Sequence, residues 1–186
     1  MDNKQFSAQL KKIDACKEAR EWVKSHGGTF AECWNDCGRG DWMAWLVAIR
    51  QKKLGITKRQ LVGALADCAA LSLKYYEKEY PKDKRVRECI NTCRRYAQGK
   101  ATDEELTTAA DAAADAAAYA AFPADAAAYA ADAAAHVAYA AAYVAYAAAC
   151  VAYAADAAAY AAARTKTLKK CADVFRKHFP ELLEKE

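Results

Sequence analysis

The chain has 186 residues, 55% of them apolar, and carries a net charge of +4. That length suits one folded unit burying roughly two-thirds of its unfolded surface, and an alanine-rich composition with only three prolines and seven glycines points to an all-α protein rather than a sheet. The modest net charge argues against a strongly basic nucleic-acid module, which gathers Lys and Arg on one face.

The amino terminus, "MDNKQFSAQLKKIDACKEAREW", is charged and amphipathic. It lacks the basic start and apolar run of a signal peptide, so the chain reads as cytoplasmic and its eight cysteines as reduced thiols. Phe6, Leu10, Ile13, Cys16, Ala19 and Trp22 or Val23 recur at helical spacing, which predicts one helix over 3–25, stopped by the glycines after His26. Thr29 is placed to cap a short helix through Cys33 and Cys37, closed by Gly38 and Gly40. Asp41 stands where an N-cap belongs, before a helix that ends at Gly55. Thr57 caps the next stretch, which runs to Pro81, and a further helix spans 82–98 until Gly99. Thr102 with Glu105 three residues later is a capping-box signature.

That box opens an Ala/Tyr/Asp-rich tract, a long or segmented central helix in a helical bundle. Pro123 is its only breaker before Phe179. Written as heptads, one core column runs Asp115, Phe122, Tyr129, His136, Tyr143, and its neighbour runs Asp111, Ala118, Asp125, Asp132, Tyr139, Tyr146. A helix that is apolar nearly all round belongs inside protein, where buried tyrosines need partners for their hydroxyls. Packing is therefore the reading here, with a self-associating antiparallel seam, and hence a homo-oligomer, as the variant. Alanine and tyrosine are weak drivers of bilayer insertion, so no membrane span is expected.

Charge divides the chain in the same way. Residues 1–100 hold 21 Lys and Arg against 12 Asp and Glu, while 101–163 hold 8 acids and no Lys or Arg. The expected organisation is a basic helical region, 1–100, and an Ala/Tyr/Asp-rich helical region, 101–186, packed on it. The dense clusters "KDKRVREC" and "CRRY" fit a helix with an exposed basic face.

No phosphate loop, nucleophile elbow or kinase signature is present, which points away from an enzyme. The Cys33/Cys37 and Cys89/Cys93 pairs read as core thiols rather than a zinc site, whose usual knuckle is Cys-x-x-Cys, and no cofactor is expected. The most informative segment is "ECWNDCGRGDWMAWLVAIR" (32–50). Its indoles suit a core, where emptying the Trp42 site would cost about 3–5 kcal/mol. Alternatively Arg39, Asp41, Trp42 and Trp45 form an interaction hot spot, since Trp and Arg are enriched in such places.

The segments "ACKEAREW", "CGRGDWMAWL", "ALADCAALSLKYYEKE", "RECINTCRRYAQGKATDEEL" and "LKKCADVFRKHFP", in this order around the Ala/Tyr/Asp tract, resemble a family of alanine-rich helical proteins of bacteria and their phages. That family is grouped with the fifth class of immunity proteins of polymorphic toxin systems. Gly40–Met43 is the most specific element of the resemblance; Ala44 departs from the leucine usual there. The resemblance implies an intracellular, non-catalytic protein that neutralises a protein toxin or, in a phage, a host defence component. Its contact surface would be the Trp/Arg/Asp turn or the acidic-aromatic tract with Tyr129, His136, Tyr139, Tyr143 and Tyr146. A second reading is a sponge for a signalling nucleotide, tyrosines stacking the base and Arg39, Arg94 or Arg95 holding phosphate. A third is an architectural, oligomerising helical protein.

Overall fold

The computed structural model describes residues 1–120, 154 and 164–183. Every regular element among them is helical: α1 (Asn3–Lys12), α2 (Lys17–His26), α3 (Phe30–Asp36), α4 (Gly40–Leu54), α5 (Lys58–Ala70), α6 (Leu73–Glu79), α7 (Arg85–Ala97), α8 (Asp103–Ala120) and α9 (Arg164–His178), closed by a 3-10 turn at Pro180–Leu183. Helix α5 packs on α7, α7 on α8, and α9 on both α4 and α5, while α1 pairs with α2.

Local chemistry accounts for most boundaries. Thr29, Thr57 and Thr102 each accept the backbone N–H of the residue three further on, and Glu32, Gln60 and Glu105 reach back to the cap's own N–H. Gly27 and Gly55 end their helices in the left-handed conformation.

Four boundaries differ from the sequence reading. The first helix is two, broken at Ile13–Cys16, where Asp14 takes φ 53°; aspartate is among the few non-glycine residues that tolerate this region. The Thr57 helix is also two, because the Ser72 hydroxyl and N–H both turn back to the Ala69 carbonyl. Helix α7 starts at Arg85 rather than Lys82, since the Asp83 carboxylate accepts the Arg85 N–H at 3.0 Å. Finally, the cap position before α4 is Arg39, not Asp41. Asp41 lies inside the first turn, where its charge suits the helix dipole and its carboxylate is taken by Arg39.

The core explains the remaining spacing. On α8 the buried face is Leu106, Ala110, Ala113 and Ala116, whereas Asp111, Asp115 and Ala118 are exposed. The heptad columns that begin at Asp111 and Asp115 therefore do not face the core in α8; the alanines do, and their small size lets α8 settle closely on α7. The Tyr and His members of those columns lie outside the described residues, as does the question of one rod or several; Ala154 is buried.

The basic clusters are not a bare basic face. All four arginines of α7 meet carboxylates: Arg85 with Asp83, Arg87 with Glu77, Arg94 with Asp67 and Arg95 with Glu105. Two cross-links, Arg95 to Glu105 and Lys58 to Asp103 at 2.8 Å, join the basic region to the start of the acidic one. These two contacts set basic side chains of residues 1–100 against acidic ones of 101–163. No helix of the described residues is long and apolar enough to cross a membrane.

Candidate functional site

The first four helices do not close on one another. They surround a cavity of about 510 Å³, within the usual range for small-ligand pockets. Its floor is buried apolar side chains, among them Phe6, Leu10, Phe30, Trp34, Met43 and Leu46. Phe6 and Phe30 meet edge to face with ring centres 5.0 Å apart, and Phe30 stacks on Trp34 at 6.1 Å. Trp22 and Trp42, half-buried and 6.2 Å apart, form a wall, with Trp45 beside them. Asp14, Cys16 and Glu18 are exposed and also line the cavity, so they stand at its mouth.

Three long-range contacts hold this geometry. The Asn3 side-chain amide donates to the carbonyls of Val23 and Gly28 at 2.8 and 2.9 Å, tying the start of α1 to the end of α2. From α9, Arg176 donates to the carbonyls of Trp34 and Cys37 at 3.0 and 2.9 Å, satisfying the otherwise open carboxyl end of α3. Gly40 is needed for a close approach: a Cβ there would sit 2.5 Å from the Cβ of Cys171 and 2.8 Å from the Ala172 nitrogen on α9.

Arg39 and Asp41 form a two-pronged pair at the mouth, with Nε–Oδ1 at 2.8 Å and Nη2–Oδ2 at 2.5 Å. Asp41's hydrogen bonds raise the Arg39 pKa against the opposing effect of burial. The guanidinium lies over the Trp42 ring, 4.3 Å from its centre. Glu18, in the first turn of α2, is held below the usual carboxylate range, first by its own backbone N–H and then by the Cys16 thiol.

The sequence-predicted residues thus divide. Arg39, Asp41, Trp42 and Trp45 come together around one cavity, with Trp42 and Trp45 half-buried rather than core-filling. Tyr129, His136, Tyr139, Tyr143 and Tyr146 lie outside the described residues. Sequence reasoning missed Trp22, Asp14, Cys16 and Glu18 as members of the same site, because it ran one helix through the corner that Asp14 makes. The arginines of the nucleotide reading are committed elsewhere: Arg39 to Asp41, Arg94 to Asp67 and Arg95 to Glu105.

One further constellation has the form of a nucleophile set. His26 Nε2 lies 3.0 Å from Asp36 Oδ2, and His26 Nδ1 lies 3.5 Å from Cys33 Sγ. The Gly28 N–H donates to that same Nδ1 at 3.2 Å, occupying the lone pair a base would use. Burial, with Cys37, Glu32 and Asp36 adding to it, pushes the Cys33 thiol up. A neutral buried thiol without a base is a packing residue. Cys33, Cys37, Cys89 and Cys93 are all buried, and among the described residues no group of three His, Cys, Asp or Glu side chains is placed to hold a metal ion.

No curated protein and no solved structure matches the chain. Residues 55–182 match the family described as "Imm-5 like putative immunity protein". The matched span starts after the Gly40–Met43 element, so residues 1–54, which carry the cavity, are not part of it. With well over half its length inside the match, the chain belongs to the Imm5-like immunity protein family.

Proposed function

We propose that the protein acts inside the cell as a stoichiometric, non-catalytic inhibitor of a protein toxin or, if phage-encoded, of a host defence component. Family membership over 55–182 carries this reading. The side of α4 that walls the cavity and reaches solvent at Ile49 supports a location for the contact. Trp42, Trp45 and Ile49 follow at i, i+3 and i+7 along one face, and Ile49, 45% exposed, is the exposed large hydrophobic residue among those described. With Arg39 beside it, the ridge offers the aromatic and arginine anchors typical of binding hot spots.

The test is capture of the tagged full chain from its native host, followed by co-expression with the captured protein and a growth assay. The expected result is growth rescue together with a discrete complex, both weakened by Ile49→Asp, which changes an exposed site and should alter stability by no more than about 0.5 kcal/mol. A capture that yields no protein in stoichiometric amount, or rescue untouched by any substitution on this face, overturns the reading.

A further inference from the structure

All four tryptophans of the chain, Trp22, Trp34, Trp42 and Trp45, line the one cavity between α1 and α4. Three different helices supply them. A core built for stability alone closes such a space, because packed interiors leave few voids larger than a water molecule. Here about 510 Å³ stays open behind half-buried indoles.

The mouth has a definite electrostatic sign. Asp14, Glu18 and Asp41 line it against a single cation, Arg39. Arg39 and Asp41 neutralise each other. Asp14 and Glu18 form no ion pair among the described residues, and the neighbouring Lys17 ammonium lies 3.7 Å from Glu21 instead. The cavity also shows what its rings accept, since a guanidinium already rests on the face of Trp42 at 4.3 Å.

We infer that this pocket binds a small hydrophobic cation, an amine or quaternary ammonium compound whose apolar body fills the space between the indoles and whose positive head sits at the mouth against Asp14 and Glu18. Indole faces attract cations through the ring quadrupole, and the two carboxylates supply the counter-charge. An anion of the same shape meets those carboxylates and finds the one guanidinium already paired. A neutral molecule gains the apolar burial and nothing from the mouth. Glu18, held below the usual carboxylate range, stays charged at neutral pH. The site lies in residues 6–46, outside the family match; it shares Arg39, Trp42 and Trp45 with the proposed contact, but its test reads ligand binding and not toxin neutralisation.

The experiment titrates the full chain with three matched probes: benzyltrimethylammonium, its neutral isostere neopentylbenzene, and phenylacetate. Because every tryptophan lines the cavity, intrinsic fluorescence reports its occupancy directly. The expected result is a saturable change with the cation, about tenfold or more tighter than with the neutral isostere, as a cation on indole implies. The same cation should slow labelling of Cys16, the exposed thiol at the mouth, by a maleimide. The double variant Asp14→Asn/Glu18→Gln keeps a residue suited to the left-handed backbone at 14, so its thermal melt should match wild type; it should lose most of the preference for the cation and keep the neutral affinity. The inference is overturned if the neutral probe binds as tightly as the cation, if phenylacetate binds more tightly, if the double variant leaves the preference intact, or if benzyltrimethylammonium gives no saturable response.

Discussion

In the α5–α7–α8 layer polar groups are used up internally and helices approach closely. Each arginine of α7 has its carboxylate, the Tyr76 and Tyr96 hydroxyls donate to Asp83 and Asp103, and the buried faces set alanine, cysteine and one glycine among leucine, valine and isoleucine. Across α1–α4 the opposite holds: large rings keep the helices apart around an open cavity, and carboxylates are left at its mouth. The closed layer coincides with the family-matched stretch and the open one lies before it. The family-matched layer and the cavity-bearing layer are thus separated along the chain, with α9 joining them through Gly40 and Arg176.

This comparison can be broken most strongly at the joint. Phe175, fully buried on α9, is expected to cost about 3–5 kcal/mol when changed to alanine, read as a fall in the urea midpoint. Gly40→Ala forces one methyl against the backbone and Cβ of Cys171; overpacking of this kind costs about 1–3 kcal/mol, and the tryptophan emission should shift because the cavity wall moves with α4. Trp42→Ala sharpens the contrast. As a core residue it would cost as much as Phe175, but its ring is half-buried and carries Arg39, so a loss of about 1–2 kcal/mol is expected by melting.

The smallest effect tests the closed layer by pH. Asp67 accepts from His178 at 2.9 Å and from Arg94 at 2.8 and 3.0 Å, the His178 bond being the larger cause of its lowered pKa. A carboxylate depressed in the folded state contributes stability that is complete above its ordinary value of 3.8 and lost as pH falls from there through the folded value, because the unfolded chain then binds more protons. Asp67 is 39% exposed, so solvent screening limits the effect to less than about 1 kcal/mol. Asp67→Asn should flatten the acid limb of urea midpoints measured from pH 7 to pH 3, leaving the cavity's fluorescence unchanged.

Helix identity was legible because its signals are local. The caps at Thr29, Thr57 and Thr102 and the stops at Gly27 and Gly55 involve partners within four residues. The breaks at Asp14 and Ser72 were missed because neither carries a Gly or Pro; one rests on a left-handed aspartate and the other on a serine turned back to the Ala69 carbonyl. The heptad stripe misled in α8 because bulk was taken to mark the core, whereas Ala110, Ala113 and Ala116 do the packing. Of the site, Arg39, Asp41, Trp42 and Trp45 stand close together in sequence and were visible; Trp22 and the carboxylates at the mouth needed the corner at Asp14 to bring them round.

Sequence alone determined that this chain is helical, where most of its helices begin and end, and which family it belongs to, since capping, periodicity and motif order are written within short stretches. Tertiary structure alone decided that α1–α4 stay open, that Arg176 satisfies carbonyls of α3 from 139 and 142 residues away, and that Gly40 lets α9 approach. Those outcomes depend on how helices cross and how closely their side chains let them come, and that is set only when distant segments meet.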